Sequence, residues 1–146
     1  LDAFKVDHAC GAVERKVLEY GKNDLIIIEG QGSLLHPGST ATLPLIRGSC
    51  PTHLILCHRA EKHNLRYPEN VKIPSLKKFI ELNQNLAHVF GAFPASKCIG
   101  VSLNTSKLNE KEAQKIINET KELTGLPVTD PVRFGVEKIC ESILTN

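Results

Sequence analysis

The sequence predicts a three-layer α/β fold, in which a mostly parallel sheet carries helices on both faces. Three observations support this fold class. Short aliphatic runs alternate along the chain with longer stretches whose apolar residues recur at helical spacing. The run Leu25–Ile28 is aliphatic at every position, which is typical of a central parallel strand covered on both faces. Strand and helix signals alternate from one end to the other, which favours right-handed crossovers between parallel strands.

The composition describes an ordinary single domain. The 146 residues are 41% hydrophobic and 23% charged, and the net charge is +2. No basic stripe with interleaved aromatic residues is present, so we expect no nucleic-acid partner. No apolar run approaches the ~20 residues that span a bilayer, and the first residues do not resemble a signal peptide. We therefore expect a cytoplasmic protein without a membrane partner.

The cysteine and methionine contents give two further expectations. The five cysteines are odd in number, widely spread and never form a CxxC pair. They are therefore interpreted as free, buried thiols rather than a disulfide framework. The chain contains no methionine, even at position 1. This predicts a fragment or a processed product.

The first half of the chain contains two strand signals, each following a helix signal. The predicted elements are a helix Val6–Tyr20, a strand Asp24–Glu29, a loop Gly30–Gly38, a short helix Ser39–Arg47 limited by Pro44, and a strand His53–His58. Asp2 and Asp7, at the start, are interpreted as solvated, with contact to a ligand as the less favoured alternative.

The second half continues the alternation after a long polar loop that ends at Pro74. A helix begins after the N-cap Ser75 and continues through Phe90, and a strand follows at Lys97–Leu103. The remaining elements are a helix opening at Asn109 and ending at Gly125, a strand Leu126–Thr129, and a final helix Val132–Leu144. Asp130 is the expected N-cap of that last helix, with Pro131 at its first position.

Glu29 is the leading candidate for a catalytic residue. It follows the aliphatic run directly, and a doubly wound sheet places its chemistry at the carboxyl ends of its strands. A carboxylate there can hold a metal-bound water or a substrate amine. Gly30 and Gly32 permit backbone conformations and a close ligand approach that side chains would block. The alternative is that Glu29 caps a helix and the glycines only form a turn.

Further polar residues are expected at the same edge of the sheet. Gln31, Ser33 and His36 lie in the loop after Glu29 and are candidates for ligand binding. His58 stands at the end of the second strand, level with Glu29 if the two strands are adjacent and parallel; otherwise it is an unremarkable loop histidine.

The later strands end in polar residues too. Asn104 follows the third strand and can offer an amide oxygen and an amide NH₂ together, although it is equally well explained as a turn residue. Thr129 and Asp130 end the fourth strand. All these strand ends would face one crevice.

One apparent metal motif is excluded. His53 and Cys57 have a spacing that suggests metal ligands, but four residues of a strand span about 13 Å. Zinc ligands lie within about 2.0–2.3 Å of the ion, so this pair cannot share one.

A carboxylate after an aliphatic strand is also the pattern of a Walker-B position, where the acid organises Mg²⁺ through water. The signal is informative only beside a phosphate-binding loop of the form GxxxxGK[ST]. This chain has none, because Lys16 stands where Gly21-Lys22 would need a preceding glycine. A nucleotide-binding interpretation therefore requires a segment upstream of these residues.

Several segments, in order along nearly the whole chain, resemble one family, the D-glutamate N-acetyltransferase-like proteins, formerly a domain of unknown function. The segments are 7–14, Ile27–Leu34 with His36-Pro37, Leu43, Gly48-Ser49, Leu54–His58, Pro74–Leu76, Leu103–Thr105 and Thr124–Gly135. The chain departs from the family at Arg59, where an acidic residue is common.

The resemblance implies a P-loop NTPase-like fold similar to that of dethiobiotin synthetase. These 146 residues would be the C-terminal portion of that domain, without its Walker A segment and without a preceding Rossmann-like domain. The resemblance also implies an enzyme that transfers an acetyl group from acetyl-CoA to the amino group of D-glutamate. The chain by itself is then expected to be inactive.

Three functional hypotheses remain open. In an acetyltransferase, Glu29 or His58 takes a proton from the amine, and the Gly30 and Gly32 N–H groups, with Gln31 or Ser33, stabilise the oxyanion. In an ATP-dependent ligase or NTPase, Glu29 holds Mg²⁺ through water, and Asn104 with residues 127–131 contacts the base. The third hypothesis is a non-catalytic regulatory or assembly domain. Loss of a phosphate-loop strand and helix would uncover a sheet edge, so we expect the chain to form a homo-oligomer or to be only marginally stable.

Overall fold

The computed structural model of the protein describes residues 8–145. Helices and strands alternate through most of this range. The helices are α1 (His8–Glu19), α2 (Thr42–Ser49), α3 (Leu76–His88), α4 (Glu110–Thr124), α5 (Pro131–Phe134) and α6 (Glu137–Thr145). The strands are β1 (His53–Arg59), β2 (Lys97–Asn104) and β3 (Val128–Thr129). The predicted α/β class is confirmed.

The three strands form one parallel sheet in the order β1-β2-β3. Each crossover between them contains a helix, as parallel strands require. The pairing of β1 with β2 begins at His53 opposite Lys97 and ends at Arg59 opposite Asn104. Both strands therefore finish at the same edge of the sheet.

Helices cover both faces of the sheet. On one face, Ile80 of α3 and Ile117 of α4 pack with Val101 and Leu103 of β2, which are almost completely buried. On the other face, Ile139 of α6 lies so close to Gly100 that an added Cβ at Gly100 would come within 3.2 Å of the isoleucine Cγ1 atom. Successive strand residues point to opposite faces, so these contacts define three layers.

The predicted strand Asp24–Glu29 is wrong. Residues 25–30 belong to no helix or strand, and the Ile27 side chain is 82% exposed. An aliphatic run forms a strand only where a neighbour completes its hydrogen-bond ladder and side chains cover its faces. In the part of the chain that the structure describes, β1 pairs with β2 alone and no strand pairs with Leu25–Ile28.

Two predicted helices begin or end elsewhere for local reasons. The expected helix Ser39–Arg47 begins at Thr42 instead and places Pro44 in its first turn, where a missing N–H costs no helical hydrogen bond. The expected helix Val132–Leu144 is divided into α5 and α6, because Gly135 has a φ of 78° and ends α5.

The other predicted boundaries are close to those observed. The strand Leu126–Thr129 is shorter than predicted, at Val128–Thr129, and the helix from Ser75 ends at His88, before a short 3-10 turn Val89–Gly91. The predicted start of α1 at Val6, and the side chains of Asp2 and Asp7, lie outside the described residues.

The predicted roles of Ser75 and Gly125 are confirmed. Ser75 accepts a hydrogen bond from the first turn of α3, and Gly125 is the left-handed C-cap that ends α4. The helix predicted to open at Asn109 has that residue as its N-cap. All five cysteines are free thiols, as predicted, but the expectation that they are buried is wrong for most of them. Cys98 is buried, Cys10 is half-buried, and Cys50, Cys57 and Cys140 are exposed. Among the helices of residues 8–145, none has the length and apolarity that a bilayer crossing demands.

Candidate functional site

A cavity of about 480 Å³ opens where β1 and β2 end, beside α5. This is the edge of a parallel α/β sheet at which ligands usually bind. Its lining includes polar side chains from three segments of the chain. They are His58 and Arg59 from β1, Asn104 and Ser106 from the end of β2, and Asp130 and Arg133 from the start of α5.

Strand pairing places the first of these residues together. Arg59 lies opposite Asn104 in the register, and the backbone N–H of Ala60 donates to the carbonyl oxygen of Asn104 at 3.1 Å. The ends of β1 and β2 are therefore held side by side. The prediction that His58 and Asn104 share one edge of the sheet is confirmed.

Asn104 stabilises a turn through its side-chain oxygen, and its side-chain NH₂ group has no acceptor among the described residues. Its Oδ1 atom accepts a hydrogen bond from the backbone N–H of Ser106 at 3.1 Å, which is the turn interpretation. No described residue accepts a hydrogen bond from its Nδ2 atom. The amide NH₂ is therefore available to a ligand in the cavity.

Asp130 is a structural carboxylate in the wall of the cavity. It is 3% exposed and accepts hydrogen bonds from the backbone N–H groups of Thr105 at 2.9 Å, Val132 at 3.1 Å and Arg133 at 3.4 Å, and from the Thr105 hydroxyl. Burial alone would raise the pKa of Asp130, but these hydrogen bonds outweigh it and hold the pKa below its usual value. Asp130 is thus ionised and fully engaged.

Thr129 is not among the residues that line the cavity. It is buried, and its hydroxyl donates to the carbonyl oxygen of Gly135 at 3.0 Å, across α5. This bond ties the end of β3 to the end of α5, so the contacts of Thr129 in the structure are those of a supporting residue.

His58 is the titratable cavity residue best suited to proton transfer. It is half-buried, and burial lowers its pKa, with a smaller contribution from the nearby charge of His63. Both effects favour the neutral imidazole, which can accept a proton. The contribution of His63 could not be read from the sequence, because the two residues are five positions apart on either side of a turn.

The Glu29 region lies apart from this cavity. Glu29, Gly30 and Gln31 are exposed, and none of residues 29–36 belongs to the cavity lining. The predicted placement of Glu29 on a strand beside His58 is therefore not what the structure has. A catalytic or Mg²⁺-binding role for Glu29 stays a prediction, and no group of three or more His, Cys, Asp or Glu side chains within residues 8–145 is arranged to hold a metal ion.

The loop after Glu29 is held by its own polar groups. The backbone N–H of Ser33 donates to the Ser39 hydroxyl at 3.2 Å, the Thr42 hydroxyl donates to the Gln31 carbonyl at 2.9 Å, and Nδ1 of His36 accepts from the Gly38 N–H at 3.0 Å. Gly32 has a φ of 74°, which glycine adopts without strain. Ligand binding by Gly30, Gln31, Gly32, Ser33 and His36 remains a prediction.

Sequence reasoning did not single out Arg59, Ser106 or Arg133 as site residues. Arg133 is three positions after the N-cap Asp130, so it projects from the first turn of a helix that starts at a strand end. Ser106 follows Asn104 by two positions. Their position just after predicted strand ends was the available signal.

Comparisons with known proteins agree with this architecture. A family model described as "Domain of unknown function (DUF1611_C) P-loop domain" matches residues 1–140. The crystal structure of a DUF1611 family protein from Anabaena variabilis superposes with a TM-score of 0.95 at 51% identity, covering 99% of this chain and 43% of that one.

Two curated relatives carry a functional name. Proteins called D-glutamate N-acetyltransferase from Tritonibacter scottomollicae and a Pseudoalteromonas species are 33% and 32% identical over 144 residues. These matches cover 98% of this chain but only 43% of each relative. The chain thus spans less than half the length of the relatives that it matches.

Proposed function

The chain belongs to the DUF1611 family of P-loop domains, and from this premise we propose that the protein that contains it transfers an acetyl group from acetyl-CoA to the amino group of D-glutamate. The observation that carries the proposal is the cavity in which His58 and Asn104 meet. Support for the reaction itself comes from the two relatives named D-glutamate N-acetyltransferase. Because the chain spans 43% of those relatives, the proposal concerns the activity of the longer protein.

His58 acts in this reaction as the general base. Its neutral imidazole accepts a proton from the substrate amine as the amine nitrogen attacks the thioester carbonyl carbon. The carbon–sulfur bond then breaks, an amide bond has formed, and the proton passes to the sulfur of the leaving coenzyme A. A histidine whose pKa is lowered by burial is in the required form at neutral pH.

Asn104 positions the ligand. Asn104 lines the cavity, its Nδ2 donor has no acceptor among the described residues, and its Oδ1 atom accepts a hydrogen bond from the Ser106 N–H. The side chain is therefore oriented before a ligand arrives. An amide donor held in this way suits a carbonyl oxygen or another neutral acceptor of the substrate.

The proposal is tested on the purified longer protein that contains this chain. Acetyl-CoA is mixed with D-glutamate, and the release of free thiol is followed. Mass spectrometry should detect N-acetyl-D-glutamate, and L-glutamate serves as the control substrate. Thiol release that depends on D-glutamate supports the proposal. Tight binding of both ligands without any turnover would replace it with the non-catalytic hypothesis.

A nucleotide-dependent reaction is the second candidate. The specific observation in its favour is the P-loop description of the matching family. In that case Asn104 donates to an acceptor on the base, and hydrolysis of ATP accompanies the reaction. Addition of ATP and Mg²⁺ to the assay distinguishes the two candidates, because acetyl transfer from the thioester needs neither.

A further inference from the structure

Two arginines face the cavity from different elements. Arg59 is the last residue of β1, and Arg133 lies in α5. Both side chains belong to exposed residues that line the opening, so a ligand can reach them. The cavity therefore presents two permanent positive charges beside the proposed base, His58.

The Asp130 carboxylate, in the cavity wall, forms no ion pair with either arginine. Asp130 uses Oδ2 for Thr105 and Oδ1 for the backbone N–H groups of Val132 and Arg133, and it is buried. Within residues 8–145, neither Arg59 nor Arg133 forms an ion pair; the pairs present there join Lys16 to Glu19 and Lys115 to Glu119. Two arginines against one engaged acid leave a positive excess at the opening.

Arg133 is held in place before any ligand binds. Its Nη2 atom donates to the carbonyl oxygen of Leu108 at 2.7 Å, in the loop that precedes α4. The guanidinium group has five N–H donors in a rigid plane, so this bond orients it and leaves other donors for a ligand. The backbone of Arg59 is fixed because β1 pairs with β2, where Arg59 lies opposite Asn104.

We propose that Arg59 and Arg133 form an oxyanion-binding site that holds a carboxylate or phosphate group of the substrate against the cavity wall. Guanidinium groups recognise both anions through paired N–H donors, and such charge-assisted bonds are stronger than neutral ones. The inference rests on the proposed function for its two natural ligands. The carboxylate source is then the side chain of D-glutamate, and the phosphate source is coenzyme A.

The test is calorimetric titration of the intact protein and of R59Q and R133Q variants, with R15Q on the exposed surface of α1 as the matched control. The probes are D-glutamate, D-glutamine, coenzyme A, coenzyme A lacking its 3′-phosphate, and pyrophosphate. Each cavity variant should weaken binding of at least one anionic probe by about tenfold or more, whereas R15Q should not. An R59K variant, which keeps the charge, should recover part of the loss.

The pattern of losses identifies the anion. If the R59Q or R133Q variant binds D-glutamate more weakly, and the unchanged protein already binds D-glutamine weakly, the site holds the side-chain carboxylate. Weaker coenzyme A binding, with the dephosphorylated form unaffected, assigns it to the phosphate. If R133Q fails to fold because the bond to Leu108 is lost, R59Q alone decides the matter.

The site and the proposed reaction can fail separately. Arginine-dependent binding of pyrophosphate without binding of D-glutamate or acetyl-CoA would keep the oxyanion site and remove the acetyltransferase proposal. Equal affinity of the unchanged protein, R59Q and R133Q for every anion would overturn the oxyanion site, whatever reaction the protein catalyses.

Discussion

The carboxylate of Asp130 accepts a hydrogen bond from the backbone N–H of Thr105, at 2.9 Å, and a second one from the Thr105 hydroxyl. The two residues are 25 positions apart. Both are almost fully buried, Thr105 just after β2 and Asp130 just after β3. The pair joins the ends of two strands and fixes the start of α5, from which Arg133 reaches the cavity.

Replacement of Asp130 by alanine should therefore destabilise the protein. The substitution leaves the buried N–H of Thr105 without its acceptor and removes the N-cap of α5, which together should lower the free energy of unfolding by about 2–3 kcal/mol. Urea unfolding followed by circular dichroism measures this change. Asp24→Ala, at an exposed position, is the control and should change stability by less than about 0.5 kcal/mol. A D130A variant as stable as D24A would contradict the structural role.

Asp130 should also make stability depend on acid pH. Because its pKa is lower in the folded protein than the value of about 3.9 in an unfolded chain, the stabilisation is complete above that value and is lost as the pH falls through the folded pKa. An Asp130→Asn variant cannot titrate at this position. The stability difference between the unchanged protein and D130N should narrow as the pH falls below about 4. A difference that stays constant over this range would show that Asp130 is not the titrating group.

His58 should control the acid side of the pH–rate profile. Its pKa is lowered by burial and by His63, so the base is neutral at pH 7 and kcat/KM should fall only below about pH 6.5. Replacement by glutamine should reduce kcat/KM about 100-fold or more, whereas His8→Gln, on the exposed surface of α1, should not.

A second variant separates a chemical role of His58 from a structural one. Removal of the neighbouring charge in His63→Gln should raise the pKa of His58 and move the acid limb of the profile to higher pH. An acid limb that is the same with and without His63, or an H58Q variant with full activity, would exclude His58 as the base.

Gly48 should be required for the close contact between α1 and α2. An added Cβ there would collide with the carbonyl oxygen of Cys10 and come within 2.8 Å of the Cβ atom of Val13. Gly48→Ala should therefore cost about 1–3 kcal/mol. Gly11→Ala, on α1 with nothing within 4 Å of the added atom, should instead stabilise the helix by about 0.5–1 kcal/mol. Equal melting temperatures for the two variants would contradict this packing.

The parts of the fold that follow from local chemistry were predictable from the sequence. Ser75 and Asp130 are N-caps as expected, since a side-chain oxygen before an apolar helical pattern satisfies free N–H groups wherever it occurs. β1 and β2 begin where predicted and extend one residue further than predicted. His58 and Asn104 meet because parallel strands finish at a common edge.

The part that depends on distant partners was not predictable in this way. The run Leu25–Ile28 has the composition of a buried strand, but no described neighbour supplies its hydrogen bonds, so Glu29 is exposed and does not line the cavity. Arg133 was missed for a related reason. Its placement depends on the break at Gly135 and on the bond to Leu108, 25 positions away.

A crystal structure of the protein with acetyl-CoA and D-glutamate is the most direct measurement. We predict ligand density in the cavity at the ends of β1 and β2, within hydrogen-bond reach of the Asn104 amide nitrogen and beside the His58 imidazole. Density for both ligands at a different place, with this cavity filled only by water, would contradict the assignment of the site.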